Sequence, residues 1–241
     1  MEIWKFLVLF FCAFFGGTAI FMVKNDKSQL LKLILSFSGA YLFAITVLHL
    51  IPDAYSGSDK GEIGIFILIG FLLQIFLEQF SEGVEHGHIH KHHDGHVFPW
   101  GIMISLCLHA FLEGMPLAKD PNNELIFGIA LHHIPAAFAL ASILLQNHFK
   151  AKGIIFYIVV FAIMAPAGYY FSTSLSNGSI SGMEPYYNKV MGIVIGIFLH
   201  ISTTILFESS ADHKINKRKM LAVLLGIGIA LIGFYSTGHG H

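Results

Sequence analysis

Two stretches decide the fold of this 241-residue chain: LCLHAFLEGMPLA at residues 106–118 and IALHHIPAAFALAS at residues 129–142. Each places ionisable side chains inside a run that is otherwise apolar enough to face lipid. An ionisable side chain at the centre of a bilayer costs about 2.5–3.5 kcal/mol on insertion scales, so it faces the protein interior or a wet cavity. We therefore expect a shared interior function for His109, Glu113, His132 and His133.

The composition of the whole chain is that of a membrane protein. Hydrophobic residues make up 55% of it, charged residues only 12%, and the mean hydropathy is +0.69. About 20 apolar residues cross the hydrocarbon of a bilayer. Eight runs reach or approach that length: residues 3–23, 33–51, 63–77, 98–118, 125–145, 153–171, 190–207 and 220–235. We expect one all-α membrane domain over residues 1–241 with eight transmembrane helices. A seven-helix alternative stays open, because the third and eighth runs are short.

The basic residues indicate how the helices are oriented. Ten fall in the odd-numbered connections between runs: Lys24, Lys27, Lys32, Lys91, Lys150, Lys152, Lys214, Lys217, Arg218 and Lys219. The even-numbered connections hold three: Lys60, Lys119 and Lys189. Because cytoplasmic loops carry an excess of Lys and Arg, we expect the odd connections in the cytoplasm and both termini on the extracytoplasmic side. An even number of helices fits this arrangement.

Three further features bear on the class of protein. The first run is longer than the apolar core of a signal peptide, and no small-residue cleavage pattern follows it, so we expect a helix there. Cys12 and Cys107 both lie within apolar runs, which argues against a disulfide framework or a thiolate metal site. The cytoplasmic loop 81–97 is either a solvated linker or a metal-coordinating tract. It carries the histidines His86, His88, His90, His92, His93 and His96, and the closing GHGH at 238–241 has a similar composition.

A weak internal similarity suggests a repeat. GAYLFAITVLHLI at residues 39–51 aligns with GIFLHISTTILFE at residues 196–208. With three helices at each end of a central pair, a 3+2+3 arrangement, these two helices would cross the membrane in opposite directions. Such an inverted repeat places the substrate site near the midplane, at the repeat interface.

The spacing of the polar residues predicts a common site. His109 and Glu113 are four residues apart, so they share one face of a helix. His109 lies nine residues before the end of the fourth run, and His132 lies eight residues after Glu124. At ~1.5 Å per residue, both are about 12–14 Å below the outer surface. Because the connection KDPNNE is short, the two helices are antiparallel neighbours and their histidines can meet.

The ligand types favour a borderline-soft metal ion. Pro116 and Pro135 cannot donate to the carbonyls of Leu112 and Leu131, so each should free a carbonyl oxygen and kink its helix. Imidazole, carboxylate and carbonyl together suit Zn²⁺ and its first-row neighbours better than Mg²⁺ or Ca²⁺. The alternative is that the histidines only hydrogen-bond between helices. Both interpretations stay open for two lone histidines, His49 and His200.

Two acidic residues lie at predicted helix ends, where a carboxylate has other common roles besides metal binding. Asp53 follows Pro52 at an outer end, and a snorkelling or capping role is the simpler interpretation. Glu208 ends the seventh run and has the same ambiguity.

At these motifs the chain resembles the ZIP family of divalent metal transporters. The family's fourth-helix motif, a histidine followed by an acid four residues later and a glycine, is matched by His109, Glu113 and Gly114. Its fifth-helix motif, His-x-x-Pro-Glu, corresponds to HHIPA at residues 132–136, with Ala136 in place of the glutamate, and FAITVLHLIPDAY at 43–55 is similar to its second-helix ending. The eight helices, external termini and histidine-rich loop after the third helix also fit the family.

The chain departs from the family pattern at the second metal position. Ala110, Ala136 and Ala165 stand where many members place an amide or carboxylate of a two-metal centre. The resemblance therefore implies one ion per protomer, held by His109, Glu113 and His132. His133 would be a fourth ligand or a hydrogen-bonding partner.

The resemblance implies uptake of a divalent transition metal into the cytoplasm by alternating access. Zn²⁺ is the first candidate substrate, ahead of Cd²⁺, Fe²⁺, Mn²⁺ and Co²⁺, and no prosthetic group is expected. The expected partners are the metal ion, the lipid bilayer of the cell membrane (the inner membrane in a bacterium) and a second protomer in a homodimer, but no nucleic acid.

Two other functions fit the sequence less well. An intramembrane metal-dependent hydrolase would use metal-bound water as its nucleophile, but the chain has no His-Glu-x-x-His pair to support one. A metal-sensing receptor is disfavoured because no sizeable soluble output domain is apparent.

Overall fold

The computed structural model describes residues 2–22, 28–56, 60–81, 83, 99–119, 123–176, 186–208 and 217–236. The regular structure in these ranges is helical, in eight main helices. Their bounds are Ile3–Thr18 (α1), Ser28–Ile45 (α2), Lys60–Ser81 (α3), Trp100–Gly114 (α4), Glu124–Gln146 (α5), Ala151–Ser176 (α6), Tyr187–Glu208 (α7) and Lys217–Ser236 (α8).

All eight helices, with their continuations, are long and apolar enough to cross a membrane. The all-α fold with eight candidate spans is therefore confirmed, and the seven-helix alternative is wrong. The third run was predicted too short, since α3 has 22 residues. Its polar ends carry Glu62, which pairs with Lys189 at 2.8 Å, and Glu78, which faces His200 at 3.5 Å. These pairings allow the helix to continue beyond its apolar segment.

Two helices change their hydrogen-bond register near a proline. α2 continues through a π-helical turn, Thr46–Leu50, and a last helical stretch, Ile51–Tyr55, rather than ending at residue 51 as predicted. α4 tightens into a 3₁₀ turn, Met115–Lys119. In that turn the Met115 N–H donates to the Leu112 carbonyl. The prediction that Pro116 leaves this carbonyl free is therefore wrong, because an i→i−3 bond replaces the missing i→i−4 bond.

The helices pack in two groups. In one, α1 packs on α5 and α6, and α4 packs on α6; in the other, α3 packs on α7, and α2 packs on α7 and α8. The two groups meet mainly where α2 touches α5 and where α3 touches α4. α5 is central: 78% of its most apolar 18-residue segment is buried inside the protein, whereas the same fraction for α8 is 11%. α3 and α8 expose many large apolar side chains, as helices at the lipid-facing surface of a membrane protein would.

Glycines bring helices within each group into close backbone contact. A Cβ atom added to Gly114 of α4 would overlap the Ala165 carbonyl of α6, and one added to Gly168 of α6 would overlap the Phe111 carbonyl. Gly70 and Gly196 join α3 and α7 in the same reciprocal way. Small residues at helix crossings are how membrane helices achieve tight van der Waals packing.

Several predicted features lie outside the described residues. These are most of the loop 81–97, including His86, His88, His90, His92, His93 and His96, and the C-terminal GHGH. The backbone of Glu208 ends α7 as expected, and its side chain is also outside the description.

Candidate metal site

Three of the predicted ligands converge between α4 and α5. One ligand atom from each of His109, Glu113 and His132 lies within 4.8 Å of the others, and all three side chains are buried. The rings of His109 and His132 are 5.8 Å apart between centroids. The predicted meeting of the His109 and His132 side chains is therefore what the structure shows.

Glu113 is the centre of the cluster and is fully buried. Its Oε2 lies 3.5 Å from His109 Nε2 and 2.7 Å from His133 Nε2, and its Oε1 lies 3.9 Å from His132 Nε2. Glu113 Oε1 and His109 Nε2 make no hydrogen bond to the described residues. Burying polar atoms without partners is costly, and a cation between them would offset that cost.

His133 has a role distinct from that of His132. Its short contact with Glu113 is a hydrogen bond. If Glu113 is ionised, as a metal ligand would be, its carboxylate can only accept a hydrogen bond, so the His133 Nε2 atom carries the proton. That nitrogen is then not available to a metal ion. The ring also packs against Phe161, with centroids 5.6 Å apart. The geometry favours a hydrogen-bonding partner of Glu113 over a fourth ligand.

Sequence reasoning missed Gln74. Its Oε1 is 3.4 Å from Nδ1 of His109, and its side chain is completely buried. The available signal was that Gln74 is the one polar side chain in the run 63–77. Recognising its partner required knowing that α3 packs on α4.

His49 and His200 lie outside the cluster, each opposite a glutamate. His49 Nε2 is 3.2 Å from Glu124 Oε2, which joins α2 to α5. His200 Nε2 is 3.5 Å from Glu78 Oε2, which joins α7 to α3. The structure thus separates these two histidines from the central group. Asp53 is exposed in Ile51–Tyr55, the last helical stretch of α2, and lines a cavity of about 370 Å³ with Tyr187 and Asn188.

The three alanines noted in the sequence are buried among apolar side chains. Ala110 and Ala136 belong to one hydrophobic cluster with Leu140 and Phe161, and Ala165 belongs to another. A methyl group offers no ligand atom. The described part of the chain accordingly has one cluster of three or more His, Cys, Asp or Glu side chains suited to a metal ion.

Comparison with known proteins identifies the family to which this arrangement belongs. The family model described as ZIP Zinc transporter matches residues 85–233, which include every residue of the cluster. The chain belongs to the ZIP zinc transporter family. The resemblance to the ZIP family is thus confirmed.

Individual ZIP relatives are distant. The zinc transporter zipt-7.1 of Caenorhabditis briggsae is 20% identical over 292 aligned positions, covering 89% of this chain and 74% of the relative. The zinc transporter YKE4 of Saccharomyces cerevisiae is 26% identical, with 87% and 72% covered. The zinc transporter ZIP1 of Danio rerio is 26% identical, with 58% of this chain covered. The match spans only about half of that fish protein, 47% of its length.

Family membership decides the broad class of function. The ZIP relatives are named as zinc transporters, so the chain belongs to a class of transporters and not of enzymes. Membership supports divalent metal transport by a multi-pass membrane protein. It gives no support to the alternative of an intramembrane hydrolase.

Proposed function

We propose that this protein carries Zn²⁺ across the cell membrane into the cytoplasm, one ion at a time, through the site formed by His109, Glu113 and His132. The observation that carries the proposal is the convergence of these three buried side chains between α4 and α5. Two imidazoles and one carboxylate form a ligand set typical of zinc sites that keep a position open. A transported ion needs such incomplete coordination, because it must also leave.

The repulsion between two divalent cations favours a single bound ion. A second divalent ion within a few ångströms would be repelled strongly in a medium of low dielectric constant, unless carboxylates bridged the pair. Glu113 is the one carboxylate in the cluster, and the alanines at 110, 136 and 165 supply no further ligand.

The packing supports an inverted repeat with a 3+2+3 arrangement. If α1–α3 correspond to α6–α8 and α4 corresponds to α5, the contact of α3 with α7 corresponds to that of α8 with α2. The contact of α1 with α5 likewise corresponds to that of α6 with α4. All four contacts are extensive. Matching contacts of this kind within each helix group are what a two-fold axis in the membrane plane would produce. The contacts between the groups, α2 with α5 and α3 with α4, have no equally extensive counterparts.

The two helix groups are compatible with alternating access. The whole cluster lies on α4 and α5, within the group that also contains α1 and α6. Close backbone contacts at glycines join α4 to α6 and α3 to α7, and the contacts between the groups include the 2.8 Å hydrogen bond from Tyr41 to the Glu124 carbonyl and the packing of Gly128 against Tyr41 and Leu42. Movement of one group against the other would carry the ion between the two sides of the membrane.

The proposed direction, into the cytoplasm, is what the resemblance to ZIP transporters implies. The excess of Lys and Arg in the odd connections favours a cytoplasmic position for those connections and an outside position for the ends of the chain.

Uptake into proteoliposomes tests the proposal. The purified protein is reconstituted and offered Zn²⁺, Cd²⁺, Fe²⁺, Mn²⁺ or Co²⁺ outside, with a chelating dye inside. We expect saturable Zn²⁺ uptake that His109→Ala abolishes. Uptake equal to that of protein-free vesicles, or uptake unaffected by His109→Ala, would contradict the proposal.

A further inference from the structure

We propose that Gln74 is a positioning residue that fixes the tautomer and ring orientation of His109, so that the His109 Nε2 atom faces the ion. This inference rests on the proposed metal site and adds a residue from outside the two helices that form it. Gln74 belongs to α3, in the other helix group, and its side chain is completely buried where α3 meets α4.

The chemistry of the contact determines the tautomer. Oε1 of Gln74 faces the His109 Nδ1 atom at 3.4 Å. An amide oxygen can only accept a hydrogen bond, so Nδ1 carries the proton and Nε2 keeps its lone pair. Nε2 is also the atom that faces Glu113 Oε2, at 3.5 Å. The two ring nitrogens are therefore assigned different tasks: Nδ1 binds the amide, and Nε2 binds the ion.

Metal binding would strengthen this arrangement. A cation on Nε2 withdraws electron density from the ring and makes the Nδ1 proton a better donor, so the long bond to Gln74 should shorten in the loaded protein. Ligating histidines usually have such a partner on the second nitrogen, and its removal commonly weakens metal affinity about 10- to 100-fold. Without the acceptor, His109 would also populate the tautomer with its proton on Nε2, which cannot bind the ion.

Four variants of the full chain in detergent test the inference: Gln74→Leu, which removes the acceptor; Gln74→Glu, which keeps an acceptor oxygen; Gln79→Leu; and His109→Ala. Gln79 is an exposed glutamine on the same helix, so its replacement is the matched control. Zn²⁺ affinity is measured by competition with a chelating dye. The tautomer is read from the ¹⁵N shifts of labelled histidine, with His109 assigned by its loss in His109→Ala.

We expect Gln74→Leu to bind Zn²⁺ about 10- to 100-fold more weakly and to lose the Nδ1–H preference of His109. Gln74→Glu should retain both properties, and Gln79→Leu should match the unmodified protein. If Gln74→Leu does not give a monodisperse protein, Gln74→Met is measured instead, with the same expectation.

Two results would overturn the inference while leaving the metal site intact. One is unchanged affinity in Gln74→Leu when His109→Ala abolishes binding. The other is an equal loss of Zn²⁺ affinity in Gln74→Leu and Gln74→Glu while the His109 tautomer stays unaltered. That result would indicate that Gln74 contributes only through its packing. Full Zn²⁺ affinity in His109→Ala would instead overturn the proposed site, and the inference with it.

Discussion

Glu113 is the residue on which the proposed site depends most. It is completely buried and faces three imidazoles, from His109, His132 and His133. Its i,i+4 spacing from His109 gives both side chains one helix face, so this pair was visible in the sequence. In the proposed site the carboxylate would have two tasks: it would offer the ion a negative charge, and it would accept a hydrogen bond from His133.

Replacing Glu113 by glutamine separates these tasks. The amide oxygen can still accept from His133, so the helices should remain packed, but the negative charge is lost. We expect Zn²⁺ affinity to fall more than about 100-fold, beyond the 10- to 100-fold loss typical of an outer hydrogen-bond partner. Titration with a chelating dye measures this. Glu62→Gln is the control, because Glu62 is 58% exposed and pairs with Lys189 away from the site. Equal affinity in the two variants would contradict the role of Glu113.

Restoring a carboxylate at position 136 should change the number of ions bound. Ala136 lies on α5 with Pro135 and is 1% exposed. A glutamate there could bridge two cations and reduce their repulsion, so we expect Ala136→Glu to bind nearly two Zn²⁺ per protomer. Ala136→Gln, of the same size but uncharged, should bind one. Elemental analysis of the purified proteins gives the ratio. Two ions in the Ala136→Gln protein would show that charge does not set the stoichiometry.

Most of the helices could be predicted from the sequence. An apolar run long enough to cross the bilayer must satisfy its backbone hydrogen bonds internally, and a helix does so. The ends of the helices could not be predicted. α3 extends over Glu62 and Glu78 because Lys189 and His200 of α7 face them, and these contacts join residues far apart in the chain. Gln74 was missed for the same reason, since its partner His109 is 35 positions away. α2 was predicted to end before Pro52, but a π-helical turn carries it to Tyr55.

The α4–α6 pair depends on close backbone approach. A methyl group at Gly168 would overlap the Phe111 carbonyl, so Gly168→Ala must push the two helices apart. Overpacking of this kind costs about 1–3 kcal/mol. We expect a lower midpoint of thermal unfolding in detergent. Gly228→Ala is the control, since nothing lies within 4 Å of the added methyl group and alanine favours a helix. Equal midpoints for the two variants would contradict the packing argument.

The orientation of the molecule in the membrane can be tested by labelling single cysteines. Cys12 and Cys107 are first replaced by serine, and one cysteine is introduced in place of Ser56, beyond α2, or of Lys150, between α5 and α6. Both positions are exposed. We expect an impermeant thiol reagent to label Ser56→Cys in intact cells and to label Lys150→Cys only after permeabilisation, because Lys and Arg are concentrated in the odd connections. The reverse pattern would contradict the proposed orientation.

The central claim is that one ion is bound by His109, Glu113 and His132. Anomalous scattering from crystals of the unmodified protein loaded with Cd²⁺ tests it most directly, because it locates every bound ion. The claim predicts a single strong peak between these three side chains, where α4 faces α5. No peak at that position, or two adjacent and fully occupied peaks, would contradict it.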